Sequence, residues 1–240
     1  MAFFQALPQV PAMPPGQNDQ NAWNMAFQNG WIVDKNQPLT HLSFPDKVQM
    51  SPPCDKGKAF TFSRRMVACP LTRNGPPGSV PDGKADWWVN YFNVNTLGYA
   101  KRAWVQGHLL NHNVHGPGVA ENLVPITDAL NRIMEKWAES VIKAEVDKGR
   151  ILFYEVTVHW LAGSPSSAIH DWIGGAQRHA NDMCKNLDGH KTGECMAPTS
   201  LSWSAFEIAW DGKQWVKGLP LVFRGLQGIE NFSYSNSFNQ

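Results

Sequence analysis

Between Asp128 and Lys148 the chain repeats apolar residues at three- and four-residue steps: Leu130, Ile133, Met134, Trp137 and Val141. That period lines them along one side of an α-helix and demands a surface to bury them against. Thr127 and Asp128 offer capping oxygens at the start, and Gly149 stands just past the end. The residues that follow, Ile151 to Val158, are aromatic and β-branched, the composition of a strand. A long amphipathic helix running straight into a strand, with further strands dispersed along the chain, confines the fold to the α+β class.

Those further strands are read at Ala59–Ala68, Trp87–Phe92 and Ala103–Val105. Ser202 to Trp210, Asp211-Gly212, then Gln214 to Val216 read as a β-hairpin on an Asp-Gly turn. Asn74-Gly75-Pro76-Pro77-Gly78 is a loop. Residues 1–50, rich in Pro, Gln and Asn, read as an irregular N-terminal arm wrapped on the domain. Residues 51–240 form one domain on an antiparallel or mixed sheet. A polar insertion at about 163–200 carries His170, His179 and His190.

Composition narrows the class of function. The 240 residues are 42% apolar with 11 Trp and 12 Phe, enough for a real core, and a net charge of +1 excludes a strongly charged disordered chain. No stretch reaches the roughly 18 apolar residues of a membrane span, so no membrane partner is expected. The first residues lack the basic and apolar regions of a signal peptide. The charge is uneven: between 51 and 112, eight Lys or Arg face three Asp. A local basic region of this kind can neutralise phosphates. Cys54, Cys69, Cys184 and Cys195 have no C-x-x-C spacing and leave the redox compartment open.

Chemistry concentrates in the strand–loop–helix unit that starts at Trp104. Gly107-His108 ends a short apolar strand and lifts an imidazole out where the chain turns. Asn131 lies about one turn into the following helix. On a regular helix Glu135 projects within ~40° of it and Glu139 within ~80°. A neutral histidine beside oxygen ligands suits hydrolysis assisted by a hard cation.

The string Gly107-His108-Leu109-Leu110-Asn111, Gly116-Pro117-Gly118, Glu121-Asn122-Leu123-Val124-Pro125-Ile126-Thr127, Asn131 and Glu139 resembles the DNA/RNA non-specific endonuclease family. That family belongs to the ββα-metal (His-Me finger) nucleases and includes many bacterial toxin domains. The similarity covers about a quarter of the chain. It implies a ββα-metal core within 51–240 and a metal-dependent endonuclease acting on DNA, with RNA as a second substrate. His108 would be the general base, Asn131 the direct protein ligand of a largely hydrated Mg²⁺ (or Mn²⁺), and Glu139 a catalytic carboxylate that holds the metal's water shell or positions the attacking water. Asn122 would brace the strand–helix turn. The family often reads Asp-Arg-Gly-His where this chain has Val105-Gln106-Gly107-His108. The phosphate-binding role then passes to Arg102, Lys101 or Gln106. The toxin-type resemblance further implies an antibacterial effector, secreted or delivered into the cytoplasm of a target cell and held in check at home by a cognate immunity protein.

Other readings compete. His108, His112 and His115 have a zinc-like H-x₃-H-x₂-H spacing, though Asn111, Asn113, Gly116 and Pro117 work against a helix there. Glu135 pairs more simply with nearby cations. A Trp-rich domain also suits a non-enzymatic binding module for carbohydrate or protein, but Trp23, Trp87, Trp104, Trp137, Trp203 and Trp210 fall at expected core positions. A nuclease fold serving as an inactive adaptor is the third reading, and Gln106 is the residue that favours it.

Overall fold

In a computed structural model of the chain, residues 39–51, 57–92, 104–160, 197–198, 200–210, 215–221 and 231–235 are described. The strands are β1 (Leu42–Met50), β2 (Phe60–Leu71), β3 (Trp104–His108), β4 (Leu123–Thr127), β5 (Leu152–His159), β6 (Ser200–Trp210), β7 (Trp215–Pro220) and β8 (Asn231–Ser235). The main sheet runs β1-β2-β5-β6-β7, and β8 pairs with the other end of β6; every pairing is antiparallel. Strands β3 and β4 make a separate two-stranded ribbon. The architecture is α+β, with the helix α1 covering one face of the sheet.

Helix α1 is one continuous rod of three parts: α-helical Asp128–Ile133, π-helical Met134–Glu139 and α-helical Ser140–Asp147. Thr127 caps it by accepting a hydrogen bond from the Leu130 amide at 3.2 Å, and Gly149 follows its end with a left-handed φ of 83°. The buried stripe is Leu130, Met134, Ala138, Ile142 and Val146. Ile133, Trp137 and Val141, placed on that face by the regular period, are only half-buried. The π segment is the reason. On a 3.6-residue helix, Ile142 would stand ~120° away from Leu130; a wider turn absorbs one residue and brings both onto the sheet. The stripe meets Met66 and Ala68 of β2, Tyr154 and Val156 of β5, and Trp203 of β6.

Strand β1 corrects the reading of residues 1–50 as an irregular arm over its last stretch, where Leu42–Met50 pairs with β2. Pro45 disguised it. Proline is tolerated on an edge strand, and here it lies where the pairing register shifts between Ser43 and Asp46. Trp87–Phe92 is likewise not a strand: Trp88–Phe92 forms a wide helical turn. The turn sends Trp87 and Phe92 together into a second apolar cluster with Phe62, Trp104 and Leu123, their rings 5.9 Å apart. The expected strand pair is present as β6 and β7 with its last pair at Trp210–Trp215; Asp211-Gly212, the expected turn, and Gln214 lie outside the described residues. Residues 1–38, 161–196 and 199, which include Trp23 and the three insertion histidines, lie outside the described residues, and Ser200 already belongs to β6. Among the described tryptophans, Trp87, Trp104 and Trp203 are buried. No helix among the described residues is long and apolar enough to cross a membrane.

Candidate active site

The ribbon β3–β4 leads directly into α1, so strand, strand and helix follow one another with no linker after Thr127. The register pairs His108 with Leu123 and Trp104 with Thr127. This leaves the His108 end of the ribbon open towards the loop that joins its strands. Gly107 gives the Ile126 side chain of the paired strand β4 room to lie across β3. A side chain there would meet the Ile126 Cδ1 atom at 2.1 Å, and its Cβ would stand 3.7 Å from Asn131 Oδ1. The glycine before the histidine therefore leaves room for the Ile126 side chain, and the Asn131 side-chain oxygen lies at ordinary contact distance from the same position.

His108 is oriented from outside the unit. Its Nε2 lies 3.0 Å from the Ser79 carbonyl, which can only accept, so Nε2 carries the hydrogen and Nδ1 keeps a lone pair. Burial holds its pKa below the ordinary histidine value, Ser79 opposes that shift, and the neighbouring His112 ring, 5.8 Å away, adds to it. The ring is thus neutral at pH 7 and able to take a proton.

Glu139 belongs to the π segment. The offset that puts Ala138 on the same stripe as Leu130 also swings Glu139 towards the line of Asn131, closer than the ~80° of a regular helix. Its carboxylate accepts a 2.5 Å hydrogen bond from Asn111 Nδ2. Burial pushes its pKa up to about 7, the Asn111 bond works against this, and the Glu135 charge reinforces it. Tyr154 lies fully buried in the same interior, and burial followed by the Glu139 charge holds its phenol well above the usual range.

The loop after His108 is pinned from within. Asn122, fully buried, accepts from the Leu110 amide and donates to the carbonyls of Leu110 and Pro117, each at 2.9 Å. Asn122 thus braces the loop between β3 and β4, and not the strand–helix turn at Thr127 that the family resemblance gave it. Asn111 accepts from the Asn113 amide at 2.8 Å while its own amide reaches Glu139. Ser79 completes the junction: its amide donates to the Gly116 carbonyl, and its hydroxyl accepts from the Gly118 amide at 2.7 Å.

His108, Asn131 and Glu139 therefore all belong to one ββα unit. Lys101 and Arg102 lie outside the described residues. Gln106 buries its side-chain nitrogen without a hydrogen-bond partner among the described residues, so it offers no amide donor at the surface. His115 turns away from His108 to the carbonyls of Thr72 and Pro76, and no group of three His, Cys, Asp or Glu among the described residues is arranged to hold a metal. Glu135 is exposed on the helix. Two residues have roles that their sequence context did not assign. Asn111 stood in the quoted string and could have been found by asking what its amide would donate to; Ser79 acts through its backbone, which no residue type reveals.

No family model matches this chain, and no curated protein matches it. Among solved structures, NucA from Streptococcus agalactiae, crystallised with no metal bound, is similar with 15% identity and a TM-score of 0.30, over 71% of this chain and 67% of that one.

Proposed function

We propose that this chain is a metal-dependent endonuclease that hydrolyses phosphodiester bonds in DNA, and in RNA as a second substrate. The observation that carries the reading is the approach of the Asn131 side-chain oxygen to Gly107, beside a histidine held neutral and in one tautomer. His108 Nδ1 takes a proton from the attacking water, a contribution of about 10²–10⁴ in rate. Asn131 is the protein ligand for Mg²⁺ or Mn²⁺. An amide oxygen, with the Glu139 carboxylate eight residues along the same helix, fits a hard cation that keeps most of its waters. Bound there, the ion would stabilise negative charge on the phosphate. Glu139, its titration centred near neutrality, orients water around that site, and Asn111 holds Glu139 in place. Lys101 and Arg102 supply phosphate contact from the basic segment, so affinity falls steeply with salt and base readout is weak.

The family resemblance also supports an antibacterial effector, delivered to a target cell and neutralised by an immunity protein that is acidic where it covers the basic segment. Free expression without toxicity or partner would count against that part.

The test is cleavage of supercoiled plasmid and total RNA with Mg²⁺ or EDTA. Wild type should cut only with metal, and intact substrates across Mg²⁺, Mn²⁺ and Zn²⁺ would end the reading.

A further inference from the structure

Among the described residues, His115 is the one non-glycine residue with a left-handed backbone, at φ 77°. A conformation that costs a side chain energy persists when its surroundings enforce it. Here the surroundings are a slot in the preceding loop. His115 Nδ1 lies 2.9 Å from the Pro76 carbonyl and Nε2 lies 2.9 Å from the Thr72 carbonyl. Carbonyl oxygens only accept, so each contact is donated by the ring nitrogen that faces it. The floor of the slot is Gly75, whose Cβ, if it had one, would stand 2.8 Å from His115 Cγ. A glycine faces the ring, and two acceptors grip its ends.

The slot belongs to the segment that orients His108. Three residues after Pro76 comes Ser79, whose amide bonds the Gly116 carbonyl immediately beyond His115, and whose carbonyl meets His108 Nε2. The loop has no place in either sheet, so its position over His108 depends on such side-chain and backbone contacts. We propose that His115 is a positioning residue for the general base: it clamps the 72–79 loop so that the Ser79 carbonyl fixes the tautomer of His108. This rests on the endonuclease reading for its consequence in catalysis, and on the loop geometry alone for its effect on His108.

Replacing His115 with glycine suits the left-handed backbone and deletes only the clamp. In the full chain, His115→Gly should retain its fold and KM for plasmid while kcat drops about ten- to a hundredfold, the range for residues that orient a catalytic group. Added imidazole, which can present an N–H from either ring nitrogen, should restore most of the loss. 1-Methylimidazole, with one nitrogen blocked by its methyl group, should not. Gly75→Ala, which pushes a methyl group into the ring's place, should act in the same direction without touching His115, and it serves if His115→Gly does not fold. The second readout is the ¹⁵N spectrum of the His108 ring. Wild type should show the Nε2–H tautomer, and both variants a mixture that imidazole reverses in His115→Gly. An unchanged His108 tautomer in both variants would overturn the proposal, whatever happens to cleavage. If wild type itself cuts nothing, the endonuclease reading fails, and the spectrum alone still decides the clamp.

Discussion

Beneath the helix, Leu130, Met134, Ala138, Ile142 and Val146 meet the sheet through apolar contact. The 72–81 loop, by contrast, is held against His108 and the 109–118 loop by hydrogen bonds to carbonyl oxygens from His108, His115 and the Ser79 amide, while Asn122 fastens the 109–118 loop from within. The two regions differ in tolerance. An apolar interface loses stability in proportion to the atoms removed, and related side chains substitute at small cost. A polar junction gains little net energy per bond, yet a buried group left without its partner costs heavily. The fold thus rests on a forgiving surface, and the chemistry on an unforgiving one.

The largest effect should fall on function without stability. His108→Ala should slow plasmid cleavage by about 10²–10⁴ with little change in the thermal midpoint, because the Ser79 carbonyl it releases is open to water; equal loss of both would mean that the ring is structural. Next comes Asn122→Ala, which strands two loop carbonyls and the Leu110 amide. It should cost about 3 kcal/mol in urea unfolding and reduce cleavage as the loop loosens. A cost near zero would erase the contrast between the regions.

The Glu139 carboxyl should sharpen the comparison through pH. Its folded pKa of about 7 lies above the ordinary 4.5, so the native protein holds a proton that the unfolded chain has released. Stability from this group is therefore unaffected below pH 4.5, falls between 4.5 and about 7, and stays at its reduced level above. In EDTA, the urea midpoint of wild type relative to Glu139→Gln should decline over that window, and parallel curves would remove Glu139 from the buried set. His41, lowered to about 4 by burial, acts in the opposite sense between 4 and 6.5, and it cancels in the wild-type-minus-variant difference. The smallest effect is Ile142→Val, expected at about 1 kcal/mol with cleavage unaffected. A change in cleavage there would show that the apolar face also sets the site.

Legibility followed the same division. The helix, β5, the pairing strands β6 and β7 and the capping by Thr127 follow from apolar pattern and local capping chemistry, both written in residue types. The buried stripe was misread at Ile133, Trp137 and Val141 because period arithmetic presumes a uniform helix, and nothing in Met134-Glu135-Lys136-Trp137-Ala138-Glu139 announces a π turn. Edge strand β1 hid behind Pro45, and Trp88–Phe92 followed ring packing over strand propensity. At the site, Gly107-His108, Asn122 and Asn131 could be picked out as a spaced string. Ser79 could not, since it works through its main chain across 29 residues of sequence.

The π segment also decides which length changes α1 can survive. Deleting one residue inside Met134–Glu139 would let the helix relax to α-type bonding with Leu130 and Ile142 only ~20° apart, both still facing the sheet. Deleting one residue on either side of that segment would instead rotate everything beyond it by ~100° and put the stripe in water. The helix has a single interval where the chain can be shortened by one residue, and that interval ends on Glu139.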